Sequence, residues 1–177
     1  QKRFVGQRAV DEYVSAGMNG RFVQSIKSVL PDPAFTQTLI YEKTYTPEEL
    51  VAMIIKDYKD RIEDFIGERV TGAVFGRPVK FAEEEPNDVL AENRLRAAAE
   101  RCGFERIEFV YEPVAAAVRY RSDLDSGACA VVCDFGGGTA DFSVILIDET
   151  TGMRIPSSHG VRVGGDDLDG EIMWHRL

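Results

Sequence analysis

Three consecutive glycines, Gly136, Gly137 and Gly138, stand between two apolar runs, and they let the backbone pass close against an anion. Before them, Cys129 to Cys133 is a short apolar run suited to a buried strand. After them, Phe142, Val144 and Leu146 alternate with Ser143, Ile145 and Ile147. The pattern predicts a tight strand-turn-strand hairpin. Without Cβ atoms its glycines reach positive φ and aim backbone N–H groups at an anion, while Asp134, Thr139 and Asp141 offer oxygens to a metal and its waters. That set of donors and acceptors suits Mg-ATP. A merely flexible turn is the other reading of a triple glycine. Asp134 weighs against it, because a carboxylate at the end of a buried strand needs a cation or hydrogen-bond donors.

The run DFGGGTADFSV resembles the second phosphate motif of the actin, sugar-kinase and heat-shock ATPase superfamily, particularly that of the seventy-kilodalton heat-shock chaperones. Four other segments agree in order. Glu112-Pro113-Val114-Ala115-Ala116-Ala117 resembles the family's connecting segment, where a Glu-Pro opens the helix that crosses between lobes. Val163-Gly164-Gly165-Asp166-Asp167-Leu168-Asp169 is similar to its Gly-Gly-Glu-Asp-Phe-Asp loop. Gly76-Arg77-Pro78-Val79-Lys80-Phe81 is similar to its strand-end Val-Pro-Ala-Tyr-Phe, and Ser25-Ile26-Lys27-Ser28-Val29-Leu30 to the segment with its catalytic lysine. The likeness is strong from Glu112 to Asp169, moderate from Thr46 to Tyr111 and weak before Thr46. The wording around Pro78 is similar to a divergent bacterial branch whose short members lack a conventional peptide-binding domain.

The resemblance implies an α/β, actin-like ATPase (ribonuclease H-like) fold, present in part: a mixed sheet with flanking helices from lobe I and the start of lobe II. Residues 1–45 would belong to the outer subdomain of lobe I, 46–122 to its inner subdomain with the inter-lobe helix, and 123–177 to the start of lobe II with the second phosphate loop. It also implies roles. Lys27 would place positive charge on the transferred phosphoryl group, and Glu112 would orient water or a metal-bound water. Asp134 would hold metal-bound waters, Thr139 would bond the γ-phosphate, and Gly136 to Gly138 would supply backbone donors. Asp141 would assist with a monovalent ion such as K⁺ or with the water. Gly164, Gly165 and Asp166 open a helix, a natural anion site. Pro78 would link nucleotide state to the substrate-binding part. Plainer readings stand beside these: a solvated Lys27, a helix-start carboxylate at Glu112, an Asp N-cap at Asp166 and a strand end at Pro78. The family's partner arginine does not line up, since the matching position holds Glu92, with Arg94 two places on.

The superfamily's first phosphate loop, strand-Asp-x-Gly-Thr, does not occur between Gln1 and Cys133, and its adenosine segment is expected downstream of Asp169. The chain therefore reads as an excised fragment, inactive alone, because a partial site loses most of its positioning. Acidic residues outnumber basic ones, 30 to 21, for a net charge of -9. That balance argues against a nucleic-acid or anionic-membrane surface. An odd count of three cysteines makes a poor disulfide framework and, with the family likeness, points to the cytoplasm. Cys129 and Cys133 are expected in the core, with Cα atoms about 13 Å apart along one strand face.

Along the chain, Pro31-Asp32-Pro33 breaks any regular element. A helix follows, with Thr46 as N-cap, Pro47 in the first turn, Glu49 completing a capping box and Gly67 as its stop. Leu50, Ile54, Tyr58, Ile62 and Ile66 are expected to form its buried stripe. Val70 to Phe75 reads as a strand, Asp88 to Cys102 as a helix and Ile107 to Tyr111 as a strand parallel to the first. The strand ends at Pro78, Glu112 and Asp134 would then face one crevice. A boundary is expected near Ser122 to Gly127.

The function implied is a heat-shock-type ATPase that binds Mg-ATP, releases ADP and uses hydrolysis to drive lobe closure, with unfolded polypeptide clients or co-chaperones met through the parent protein. Rival readings are a non-catalytic nucleotide sensor or scaffold, and a filament-forming or sugar-phosphorylating relative.

Overall fold

The computed structural model describes residues 2–120, 127–148 and 152–176. The boundary expected near Ser122 lies almost wholly outside them. The elements are α1 (Gln7–Ser15), a 3₁₀ turn (Ile26–Val29), β1 (Thr38–Ile40), β2 (Lys43–Tyr45), α2 (Pro47–Ile66), β3 (Gly72–Arg77), α3 (Glu85–Arg101), β4 (Arg106–Tyr111), α4 (Glu112–Tyr120), β5 (Cys129–Phe135), β6 (Ala140–Asp148), β7 (Gly152–Val161) and α5 (Gly165–Arg176).

Among the described residues the strands of the expected mixed sheet are divided among three small sheets. β1 and β2 form an antiparallel hairpin, β3 and β4 a parallel pair, and β5, β6 and β7 an antiparallel meander. Parallel strands need a crossover, and α3 supplies it between β3 and β4. Their register runs from Gly72 opposite Arg106 to Arg77 opposite Tyr111, so both strands end level. Pro78 and Glu112, the next residue in each chain segment, consequently stand side by side.

α2 starts as its capping residues dictate. The Thr46 side chain accepts from the Glu49 N–H, the Glu49 carboxylate accepts from the Thr46 N–H, and Gly67 ends the helix in a left-handed conformation, φ 74°. Its apolar row does not stay buried: Leu50 is buried, but Tyr58, Ile62 and Ile66 are about half exposed. Each step of four residues on a helix of 3.6 per turn rotates about 40°, so the row winds away from the packed face. The core lies where the first turns of α2 meet α3 and the 3₁₀ turn, with Leu30, Val51, Phe81, Ala91 and Ala98 buried against Ile26, Ile55 and Leu95.

Cys129 and Cys133 correct another expectation, since both are exposed, as are Val131 and Phe135 on the same face of β5. Their strand is one of the two edge strands of the meander, and the face carrying them has no layer over it among the described residues. Cys102 is half-buried. Its Sγ donates to the Ala52 carbonyl at 3.2 Å, and burial pushes the thiol pKa up.

Candidate functional site

The glycine run caps the β5–β6 hairpin. Asp134 faces Asp141 across the ladder, Phe135 faces Ala140, and the Gly136 N–H donates to the Thr139 carbonyl at 2.8 Å. None of Gly136, Gly137 and Gly138 takes a left-handed φ, contrary to the expectation that conformational freedom is what the run supplies. What demands glycine is the close approach of α5. The N–H groups of Gly165 and Asp166 donate to the carbonyls of Gly136 and Gly137 at 2.9 and 2.8 Å. A Cβ on Gly164 would overlap the Gly137 carbonyl and lie 2.6 Å from the Gly138 nitrogen, and one on Gly137 would meet the Asp166 carboxylate at 3.3 Å. The helix start thus spends those two amides on the loop's own carbonyls. The N–H groups of Gly137 and Gly138 have no acceptor among the described residues.

Asp167, three residues into the cap, accepts from the Gly164 N–H at 2.9 Å and closes the helix end. Asp166 is therefore not the cap. Its carboxylate turns to the Ser25 hydroxyl, which donates at 2.5 Å across 141 residues of sequence. Ser25 takes a left-handed conformation, φ 51°, and opens the 3₁₀ turn that carries Lys27. Lys27 Nζ reaches Glu112 Oε1 at 2.6 Å. The predicted lysine and glutamate are together, on a segment whose first residue touches the helix that holds the glycine loop.

Asp141 is 1 % exposed. Its Oδ1 accepts the Val79 N–H at 2.9 Å and fills the space that a Cβ on Gly160 would need. The meander is thereby tied to the end of β3 beside Pro78, which is fully buried. Of the three strand ends expected to face one crevice, Pro78 and Glu112 stand side by side, while Asp134 pairs with Asp141, whose carboxylate makes the direct bond to the end of β3.

An arginine does stand beside Pro78, but it is the preceding residue. Arg77 donates to Glu92 at 2.5 Å, to Asp88 at 2.7 Å and to the Pro78 carbonyl at 3.1 Å. Its guanidinium lies over the rings of Phe81 and Tyr111. The two carboxylates raise its pKa against the lowering effect of burial, so it stays charged at every working pH. An open groove of about 430 Å³ on this side is lined by Arg77, Glu92, Arg96, Phe109 and Tyr111, and it shares no residue with the glycine loop. Arg94, the other arginine near the expected position, points away to the carbonyls of 29–35.

Sequence reasoning missed Ser25 and Arg77, and it met Arg94 only as a neighbour of the unmatched relay position. Arg94 left a readable trace: it lies three residues after Ala91 and four before Ala98, on the small-residue face of α3, where a charge requires partners.

The architecture is that of a mixed α/β protein with a glycine loop at the ends of two of its strands. A protein-family comparison gives this class a name: the family model described as Hsp70 protein matches residues 1–177. The chain belongs to the Hsp70 protein family and represents part of an Hsp70-type nucleotide-binding domain. Chaperone, heat-shock and ATP-binding character come with that family, whose members generally depend on nucleotide and Mg²⁺ and bind client polypeptides. Among the described residues no helix is long and apolar enough to cross a membrane.

Proposed function

We propose that the cleft between Lys27, Glu112 and the Gly136–Gly138 loop binds Mg-ATP and takes part in its hydrolysis, with lobe closure as the mechanical consequence, in the manner the actin-like fold implies. The observation that carries this reading is the Lys27–Glu112 pair at 2.6 Å, on a segment joined through Ser25 to Asp166 beside Gly137. Phosphoryl transfer asks for little beyond positioning and charge. The Gly137 and Gly138 amides and the Thr139 hydroxyl would receive phosphate oxygens, Lys27 would offset negative charge on the transferred group, and Glu112 would orient the attacking water.

The donor set fits a water-carried Mg²⁺. Among the described residues no group of three or more His, Cys, Asp or Glu could hold a metal by side chains alone, and Mg²⁺ ordinarily keeps several waters while using one or two carboxylates and the phosphates. Asp134 and Asp141 face each other across the β5–β6 ladder at the mouth of the loop. Like charges directly opposite are unfavourable, which favours a cation near them, Mg²⁺ through Asp134 and its waters, or K⁺ at Asp141. When bound, the metal would neutralise phosphate charge. Glu112 would then have to share itself between Lys27 and water.

A second reading, a nucleotide sensor without hydrolysis, draws on the same pair: Lys27 and Glu112 already satisfy each other. Mg-ATP turnover by the polypeptide that carries this chain separates the two. Turnover that collapses in both Lys27→Ala and Thr139→Ala supports the ATPase. ATP binding with a negligible rate that neither variant alters supports the sensor.

A further inference from the structure

We propose that Arg94 is a positioning residue for Lys27, an inference that rests on the reading of Lys27 as part of a hydrolytic site. Arg94 is 7 % exposed and projects from the face of α3 that carries Ala91 and Ala98, both fully buried. Its Nη1 donates to the carbonyls of Leu30 at 2.8 Å and Asp32 at 2.9 Å, with Val29 at 3.4 Å, and its Nη2 donates to the Phe35 carbonyl at 3.0 Å. Nε lies 3.4 Å from Glu48 Oε1, which balances the buried charge. One guanidinium therefore gathers carbonyls from a seven-residue stretch.

That stretch needs an external anchor. Pro31 and Pro33 have no N–H, and Val29 to Phe35 pairs with no strand. Its own bonds are Asp32 N–H to the Val29 carbonyl and Phe35 N–H to the Asp32 carbonyl, both 3.2 Å, and Ala34 N–H to the Asp32 carboxylate at 2.8 Å, which leave the carbonyls of Leu30 and Phe35 to an outside donor. Arg94 fastens its carbonyls to α3. The stretch continues directly from the 3₁₀ turn, where the Leu30 N–H donates to the Lys27 carbonyl at 3.3 Å and where Ile26 and Leu30 pack into the core beside α3. The backbone of Lys27 is thus located relative to α3. Glu112 follows β4, which α3 joins to β3, so both ends of the Lys27–Glu112 bond are referred to one helix. A lysine at position 94 has a single ammonium and reaches only part of the carbonyl set, because the planar fork is what serves several acceptors at once.

A simple stability role for Arg94 predicts something different, namely that any substitution of equal destabilisation acts alike. Lys59→Met supplies that control. Lys59 is also buried, bonds the Cys102 carbonyl at 2.9 Å and touches neither the 3₁₀ turn nor Glu112.

The experiment compares wild type, Arg94→Met, Arg94→Lys and Lys59→Met in the polypeptide that carries this chain. Each is examined by amine acetylation footprinting with mass spectrometry and by kcat and KM for Mg-ATP. In Arg94→Met, Lys27 is expected to acetylate several times faster while exposed Lys43 keeps its rate, and kcat falls about 10²-fold with KM nearly unchanged, the size of effect a misplacement near 1 Å produces. Arg94→Lys recovers part of both. Lys59→Met, at a matching loss of melting temperature, leaves both at wild-type values. The proposal is overturned if Lys27 labelling is unchanged in the Arg94 variants or rises equally in Lys59→Met. Should Arg94→Met fail to fold, Arg94→Lys decides by the same labelling. A wild type without turnover would sink the ATPase reading alone, and the labelling would still decide whether Arg94 places Lys27.

Discussion

Lys27 and Glu112 are separated by 85 residues of sequence and by 2.6 Å in space. Their side chains are 45 % and 28 % exposed, and a pair so open to solvent contributes about 0.2–1 kcal/mol to stability. Lys27→Ala should therefore melt close to wild type while losing about 10²–10³-fold in Mg-ATP turnover, the usual loss for one preorganised charge or donor. Thermal unfolding measured beside single-turnover hydrolysis checks both halves. Intact turnover with a large stability loss would make the pair a fold contact.

Gly164→Ala is expected to cost about 1–3 kcal/mol, because the added methyl meets backbone of Gly137 and Gly138 that cannot give way as a side chain would. Gly138→Ala meets nothing within 4 Å and should stay within about 0.5 kcal/mol of wild type. Urea denaturation of the two variants tests the contrast. Nucleotide affinity should fall in both, in the first through the displaced loop and in the second through a methyl beside a phosphate-facing amide, so only the stability readout separates them.

Asp141→Ala removes a buried acceptor and leaves the Val79 N–H without it, a loss of about 1–3 kcal/mol. Asp141→Asn keeps an oxygen for that N–H and should regain most of the stability. If a monovalent cation also uses this carboxylate, the Asn variant should fold well yet lose K⁺ dependence of turnover. Denaturation midpoints and turnover in K⁺ against Na⁺ distinguish these outcomes.

Glu63 accepts the Val70 N–H at 2.8 Å just past the end of α2, and that bond, aided by Lys59 at 3.5 Å, holds its carboxyl below the ordinary carboxylate value. A lowered folded pKa stabilises the protein above the unfolded value, about 4.3, and the contribution fades as pH falls through the folded value. The stability gap between wild type and Glu63→Gln should thus be open at neutral pH and close under acid. Urea midpoints across an acid-to-neutral series test it, and a gap that persists at the acid end would contradict it.

Local signals were legible where chemistry between near neighbours decides the outcome. Thr46, Pro47, Glu49 and Gly67 delimit α2, and the βαβ order fixes the parallel pairing that sets Pro78 beside Glu112. The lysine and glutamate were legible through motif wording. Three-dimensional packing decided the rest. The row from Leu50 to Ile66 winds off its face, and Cys129 and Cys133 lie on an outer strand, which a short apolar run alone does not reveal. Ser25 with Asp166, and Arg94 with four carbonyls, are partnerships across long sequence distances with no periodic trace. Positive φ is not what the glycine run supplies: the tight approach of α5 demands glycine at Gly164 and leaves little room at Gly137, while Gly138 is open.

The mating of Gly164, Gly165 and Asp166 to Gly136 and Gly137 makes the loop and α5 a single mechanical part. A displacement of the first turn of α5 would act on the loop directly, through the two hydrogen bonds from Gly165 and Asp166 and the close approach at Gly164. The helix runs about 18 Å from that turn and carries the exposed Met173 and Trp174 toward its far end, so whatever engages those two side chains would bear on the loop through α5.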